Sequence, residues 1–237
     1  MKTPRFLVAA CISLALAFTF SCSSDDGNDP QPAPVQSSSS GDGGGPSGGG
    51  SFTDPRDSKT YRTVVIGTQT WMAQNLNFAA EGSKCYDNSE SNCETYGRLY
   101  NWATAMANSA SSSADPSGIQ GVCPPDWHLP SDAEWTALTN YVESEGGCSD
   151  CAGTRLKAKS GWSNDNGTDN HGFSALPGGG GNSDGSFYDV GSYGSWWTSS
   201  EYSSDIAYSR FMSYFNDHVH RYNNFKTSLL SVRCLQD

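Results

Sequence analysis

The sequence is poor in basic side chains and in long hydrophobic runs. Its 237 residues contain 14 Lys and Arg against 25 Asp and Glu, which gives a formal net charge of -11. Affinity for nucleic acid rests largely on cationic side chains that neutralise phosphate, so we expect no nucleic-acid partner. The apolar run from Phe6 to Phe20 is too short to span a bilayer comfortably. Any membrane attachment is therefore expected to be a lipid anchor.

Common catalytic signatures are missing as well. The chain has no Gly-x-Ser-x-Gly nucleophile elbow, and the run Gly178 to Gly181 lacks the Lys-Ser/Thr and the helix of a phosphate loop. His128 lies between Trp127 and Leu129, where a hydrogen-bonded structural role is favoured over that of a general base. The sequence predicts no catalytic residue, and we expect a protein that is not an enzyme.

The N-terminus has the pattern of a signal peptide, because two basic residues precede the apolar run. Residues 1–21 are the segment predicted to be removed. Cleavage before Cys11 would leave the apolar stretch Ile12 to Phe20 at the new terminus, so Cys22 is favoured as the lipidated residue. Plain secretion is the alternative. We expect an exported protein, lipid-anchored at the outer membrane or the cell surface.

The composition changes sharply at Phe52. Residues 22–51 consist mainly of Ser, Gly, Pro and Asp, and they cannot bury enough apolar surface to offset the entropy of ordering. This segment is predicted to be a disordered tether. The remainder, Phe52 to Asp237, has a length suited to one domain and contains all 7 Trp and all 11 Tyr.

An even number of cysteines in an exported domain predicts disulfides. Short separations along the chain pair two couples and elimination pairs the third, giving Cys85 with Cys93, Cys148 with Cys151, and Cys123 with Cys234. The alternative for Cys148 and Cys151 is a redox pair or half of a zinc site. Neither the βαβ context of the first nor the two further ligands of the second is evident.

The stretch from Gly121 to Trp135 organises the domain. Its three prolines predict an extended connector around Trp127, because proline fixes φ and disfavours helix before it. Ser131 and Glu134 have the spacing of a capping box, so a helix is predicted from Ser131 to about Glu145, ending at Gly146-Gly147.

Other elements follow from hydrophobic spacing and β-branched residues. We predict a hairpin at Tyr61 to Ile66 with Gln69 to Met72, a further helix at Gly97 to Asn108, and a long loop region at Ala152 to Tyr193. Four late strands are predicted at Trp196 to Ser199, Ile206 to Phe215, His218 to Phe225 and Ser228 to Leu235. The Gly178 to Gly181 run is predicted to be a turn. Strands at both ends predict an α+β domain whose termini meet.

Several strings, in this order, carry a family resemblance: TVVIGTQTWMAQNLN, CYDNSESNCETYGRLYNWATA, GVCPPDWHLPSDAEW, LKAKSGW, GFSALPGG, WWTSS and SVRCL. They closely resemble the Fibrobacter succinogenes major paralogous domain, whose members look like bacterial surface or secreted lipoproteins. The connector and the closing strand also resemble, more distantly, the formylglycine-generating enzymes and the C-type-lectin-like fold. That likeness implies a small twisted antiparallel sheet, two helices and a long loop region, stapled by disulfides.

The resemblance does not carry an activity to this chain. The formylglycine-generating enzymes bind copper through a C-terminal cysteine pair, whereas Cys234 is the only cysteine here after Cys151. The Glu-Pro-Asn and Trp-Asn-Asp motifs of calcium-dependent sugar-binding lectins are absent too. We expect a non-catalytic surface module that binds a carbohydrate, a cell-wall component or a protein through its loop face. An enzyme of altered chemistry is the alternative.

The aromatic residues divide by context. Five are expected in the core because they lie in regular elements or fixed motifs, namely Trp71, Trp102, Trp127, Trp135 and Trp197. Aromatic rings among Gly, Ser, Asn and Asp can stack on a sugar face while neighbouring polar groups accept its hydroxyls. The predicted ligand-binding residues are Trp162, Asn164, Asp165, Asp169, Tyr188, Tyr193 and Tyr202. Rings that only pin long loops are the alternative.

No cofactor is expected, with calcium as the alternative. The Asx-rich stretch Asn164 to Asn170 offers oxygen ligands, but its spacing fits no EF-hand and favours a set of turns. His218 and His220 would face the same side of a strand, yet no third metal ligand is evident.

Overall fold

The structure, a computed structural model, describes residues 49–164 and 167–237. The predicted signal peptide, Cys22 and most of the predicted tether lie outside the described residues, as do Asp165 and Asn166. The described part is an α+β domain in which strands outnumber helices, as expected.

Twelve strands and four α-helices lie within the described residues. The strands are β1 (Gly50–Thr53), β2 (Thr60–Ile66), β3 (Gln69–Met72), β4 (Leu99–Tyr100), β5 (Trp127–His128), β6 (Gly178–Gly181), β7 (Phe187–Val190), β8 (Tyr193–Glu201), β9 (Ile206–Ser213), β10 (His220–Phe225), β11 (Leu230–Ser231) and β12 (Leu235–Gln236). The helices are α1 (Glu90–Tyr96), α2 (Trp102–Ala105), α3 (Asp132–Gly146) and α4 (Ala152–Leu156).

Two sheets organise the domain. The first has the strand order β1-β2-β3-β12-β5, so the last strand pairs beside the opening hairpin and the two ends meet as predicted. The second has the order β10-β9-β8-β11-β4, and β6 joins it through β8 while β7 pairs with β6. Gly50 and Ser51 pair with Thr63 and Arg62, so the last two residues of the predicted tether belong to the folded domain.

The connector and helix α3 are built as the sequence predicts. The Ser131 side chain accepts a hydrogen bond from the Glu134 amide, and the Glu134 carboxylate accepts one from the Ser131 amide. These two hydrogen bonds complete the capping box. Gly147 ends the helix in the left-handed conformation. The apolar face of α3 packs Trp135, Leu138 and Val142 into the core.

The predicted helix over Gly97 to Asn108 was wrong. Leu99 and Tyr100 are extended because they pair with Ser231 and Leu230, and this pairing requires a strand. The Asn101 side chain then accepts the Thr104 amide and starts the short helix α2.

Two further predictions are corrected by strand pairing. Gly178–Gly181 is not a turn but a buried strand, because glycine lets the backbone of β7 approach closely. The segment Ser228 to Leu235 is not one strand, since β11 pairs in the second sheet and β12 in the first. The chain crosses between the sheets at Val232 and Arg233, which are both buried.

All three predicted disulfides are present, Cys85–Cys93, Cys123–Cys234 and Cys148–Cys151. The five tryptophans expected in the core are buried. None of the helices in residues 49–164 and 167–237 has the length and apolarity needed to cross a membrane. The likeness to the C-type-lectin-like fold stays a prediction.

Candidate functional site

One face of the second sheet carries a row of aromatic side chains. Strands β8, β9 and β10 are antiparallel, with Ser195 opposite Phe211 and Phe211 opposite His220. Side chains alternate between the two faces of a strand, so Tyr193 and Ser195 share the face of Phe211. The alternate residues of β8 and β9, such as Trp196 and Met212, point to the buried core.

A groove of about 300 Å³ opens on this face. Strands β8, β9 and β10 form its floor, and β6, β7 and β11 supply its sides. The residues that line this aromatic groove are Gly179, Tyr188, Asp189, Tyr193, Ser195, Phe211, Tyr222, Asn224 and Leu230.

The rings of the groove hold one another in place. The ring centroid of Phe211 lies 6.0 Å from that of Tyr193 and 5.7 Å from that of Tyr222, the second pair being edge to face at 87°. Edge-to-face contacts of this kind are favourable because of the ring quadrupoles. Tyr222 nevertheless keeps 56% of its surface exposed, so its ring is free to contact a ligand.

Polar groups interrupt this aromatic surface. Asn224 donates from Nδ2 to the Ser209 hydroxyl at 2.8 Å, while its Oδ1 accepts from no described residue. The Ser195 hydroxyl and the Asp189 carboxylate also have no side-chain partner among the described residues. These oxygens can accept hydrogen bonds from a ligand.

The phenol of Tyr188 is a hydrogen-bond donor at neutral pH. Burial raises the pKa of Tyr188, and the nearby Asp189 carboxylate raises it further. Tyr188 and Asp189 therefore contribute a hydrogen-bond donor and an acceptor to the lining of the groove.

His220 lies on the floor strand β10 and packs beside the groove residue Phe211. Its ring stacks on Phe211 with centroids 4.4 Å apart and planes 14° apart. Burial lowers the pKa of His220, and the charge of His218 lowers it further. The neutral ring therefore packs behind Phe211 at neutral pH.

The structure corrects one predicted binding residue. Trp162 is only 5% exposed, and its Nε1 donates to the Ala175 carbonyl at 3.1 Å. Its ring belongs to the core cluster that includes Trp71 and Trp135. Trp162 is therefore a core residue, and its ring is not exposed for stacking on a ligand.

The other predicted residues separate in space. Tyr188 and Tyr193 meet in the aromatic groove, whereas Tyr202 packs edge to face on Tyr208 outside it. Asn164 is exposed elsewhere, and Asp165 lies outside the described residues. Asp169 accepts from the amide and hydroxyl of Ser174, which agrees with a turn.

His128 is buried and hydrogen-bonded through both ring nitrogens. Its Nε2 lies 2.8 Å from Glu134 Oε1 and its Nδ1 lies 2.6 Å from Asp237 Oδ1. Both ring nitrogens are therefore engaged by carboxylates, and neither is free to take a proton from a substrate.

Metal ligands do not converge on the predicted positions. In residues 49–164 and 167–237, the only group of three acidic, His or Cys side chains close enough to share an ion is Cys85, Glu90 and Cys93. The disulfide already takes both of those sulfurs. His218 and His220 lie side by side with ring centroids 5.2 Å apart, but they belong to no such group.

Sequence reasoning missed more than half of the groove. The binding residues were predicted mainly in loops. Several groove residues lie in strands instead, namely Asp189, Ser195, Phe211, Tyr222 and Asn224. Alternation along the predicted strand His218 to Phe225 would have grouped Tyr222 with Asn224. The pairing of β9 with β8 and β10 was the part that no local pattern contained.

The family described as the Fibrobacter succinogenes major domain matches residues 64–236, so the chain belongs to this family. The matched region includes the whole aromatic groove. No curated protein and no solved structure matches the chain significantly. The family description names no activity, so a functional proposal has to rest on the geometry of the site.

Proposed function

We propose that the domain is a non-catalytic module that binds a carbohydrate in the aromatic groove. The observation that supports this most is the combination of aromatic rings with hydrogen-bonding groups that the protein itself leaves unused. Tyr193, Phe211 and Tyr222 offer ring surface, while Asn224 and Ser195 offer oxygens.

A sugar ring has the matching chemistry. Its C–H faces are apolar and stack on aromatic rings, and its edges carry hydroxyls that donate and accept hydrogen bonds. The groove is open and shallow at the exposed ring of Tyr222, which suits part of a long polymer. A purely apolar ligand would leave the Asn224 and Asp189 oxygens without partners, at a cost in free energy.

The proposed setting is the surface of the cell. An exported chain lipidated at Cys22 would hold the domain on the part of the tether that precedes β1, where it could reach insoluble polysaccharide, a cell-wall component or a surface protein. An enzyme of altered chemistry has less support, since both nitrogens of His128 are occupied.

The test uses two tyrosines of equal exposure. Tyr222 lines the groove and Tyr202 lies outside it, and each is 56% exposed with one edge-to-face aromatic contact. A glycan array and a polysaccharide pull-down would first identify the sugar. Tyr222→Ala should then weaken binding about tenfold, because stacking contacts contribute on the order of 1 kcal/mol.

Tyr202→Ala is the matched control and should leave binding and Tm unchanged. An equal loss of binding affinity in the two variants would contradict a binding site in the groove. Absence of any retained glycan with the intact domain would reject carbohydrate as the ligand.

A further inference from the structure

A second and larger cavity lies apart from the aromatic groove. Its volume is about 580 Å³, within the usual range of small-molecule sites, and it shares no lining residue with the groove. Strand β2, the segment that follows β3, helix α1 and the segment after α4 form its walls. We call this cavity the polar cleft. Its exposed polar lining residues include Arg62, Gln74, Lys159 and Ser160, and the half-buried Tyr96 lines it as well.

The polar cleft contains unpaired positive charge in an acidic protein. Among the described residues, the basic side chains without a hydrogen bond or an ion pair are Arg62, Lys84 and Lys159. Two of these three, Arg62 and Lys159, line the cleft, although the whole chain has a net charge of -11. Most other basic side chains in the described residues form ion pairs with carboxylates or donate hydrogen bonds to carbonyl groups.

A third cation lies behind the wall of the cleft. Arg233 is 1% exposed, and it donates from Nε and Nη2 to Asn75 Oδ1, which lines the cleft. No carboxylate of the described residues lies within ion-pair distance of its guanidinium. Burial lowers the pKa of Arg233 to about 9, so the group remains a cation at neutral pH.

Neither of the two carboxylates that line the cleft forms an ion pair with these cations, although the charge of Asp169 acts to raise the pKa of Arg233. Asp169 accepts from the amide and the hydroxyl of Ser174 at 2.8 and 2.7 Å. Glu94 has one long contact, 3.4 Å from Asn77 Nδ2, and no ion pair. The open part of the cleft therefore presents mainly donors: the Arg62 guanidinium, the Lys159 ammonium and the free amide nitrogen of Gln74.

We propose that the polar cleft binds an acidic sugar. The sugar carboxylate would lie between Arg62 and Lys159, since guanidinium groups match carboxylates geometrically. Gln74 Nε2 and the Ser160 hydroxyl would contact ring oxygens and hydroxyls, and the ring of Tyr96 would cover one face. This site goes beyond the carbohydrate site of the groove and does not depend on it.

The experiment measures binding to the whole secreted domain by calorimetry. The probes are a trimer of galacturonic acid, the neutral galactose trimer and acetate. We expect the acidic trimer to bind, the neutral trimer to bind at least about tenfold more weakly, and acetate to bind more weakly still. Raising the NaCl concentration from about 50 to about 500 mM should weaken binding of the acidic trimer, because salt screens exposed charges.

Variants then locate the site. The double variant Arg62→Ala with Lys159→Ala should weaken binding of the acidic trimer about tenfold. Its Tm should stay unchanged, because neither side chain forms a hydrogen bond or an ion pair in the fold. Lys84→Ala removes an unpaired positive charge outside the cleft, and as a control it should have no effect. Tyr222→Ala should also have no effect, which separates this site from the aromatic groove.

Two results would overturn the proposal. Unchanged affinity in the double variant would place the ligand elsewhere. Equal affinity for the acidic and neutral trimers, or for acetate and the acidic trimer, would show that the cleft does not recognise an acidic sugar.

Discussion

His128 joins the connector, helix α3 and the C-terminal strand through two carboxylates. Glu134 also accepts the amides of Ser131 and Ser117, so one buried side chain caps the helix and holds the imidazole. Burial alone would lower the pKa of His128, but the hydrogen bonds and charges of Glu134 and Asp237 outweigh it and raise the pKa. The protonated imidazolium is therefore the form that the fold stabilises.

This raised pKa predicts a pH-dependent contribution to stability. His128 binds its proton more tightly in the folded state, so its contribution is full below the unfolded pKa of about 6.5 and is lost as the pH rises through the folded pKa. The loss in free energy of unfolding caused by His128→Gln should be larger at about pH 5.5 than at about pH 9. Denaturant titrations at the two pH values measure it.

His171 provides the control of opposite sign. Burial lowers the pKa of His171, so protonation on acidification opposes its folded state. The loss in free energy of unfolding caused by His171→Gln should be smaller at about pH 5.5 than at about pH 9. The same trend at both histidines would show that the assignment for His128 is wrong.

At the scale of elements, the glycine strand β6 sets the shape of the aromatic groove. Gly179 has φ 65° and pairs in parallel with Gly194 of β8. A Cβ at Gly179 would lie 2.7 Å from the Val190 nitrogen and would also clash with the Tyr188 carbonyl. Only glycine allows β7 to approach this closely, and β7 carries Tyr188 to the edge of the groove.

Substitution of this glycine should damage both the fold and the groove. Gly179→Ala should lower the free energy of unfolding by about 2 kcal/mol or more, from the positive φ together with overpacking. Gly185 is the matched control, because its φ is 89° but no atom lies within 4 Å of the added Cβ. Gly185→Ala should cost only about 1 kcal/mol. Equal losses in thermal or chemical unfolding would contradict a steric role for Gly179.

At the scale of the whole molecule, the disulfide Cys123–Cys234 joins the connector to the C-terminal segment. Its cysteines are 111 residues apart in sequence, whereas Cys85 and Cys93 are 8 apart. Both members of the long link are buried in the core cluster that includes Trp127 and Trp197. The link therefore closes most of the domain into one loop around that core.

Removal of the long link should destabilise the domain more than removal of the short one. A longer loop restricts the unfolded chain more, so Cys123→Ala with Cys234→Ala should cost about 2–5 kcal/mol. Cys85→Ala with Cys93→Ala should cost less. Urea denaturation of both double variants makes the comparison, and a larger loss for the short link would contradict it.

Much of the framework could be predicted because it depends on local chemistry. The capping box of Ser131 and Glu134, the turn at Gly67 in the opening hairpin and the three cysteine pairs follow from spacing along the chain. The core tryptophans could also be identified, since they lie next to fixed motifs. Helix α2 was misplaced because pairing of Leu99 with Ser231, far along the chain, overrides local helical spacing.

The aromatic groove could not be predicted from local chemistry in this way. The α+β class, the disulfide pairing and the family could be read from residue type and short-range order alone. Only the tertiary structure decided that Trp162 is buried and that Tyr188, Tyr193, Phe211 and Tyr222 share one groove. The physical reason is that strand register brings together residues distant in sequence, and that register depends on the packing of the whole sheet.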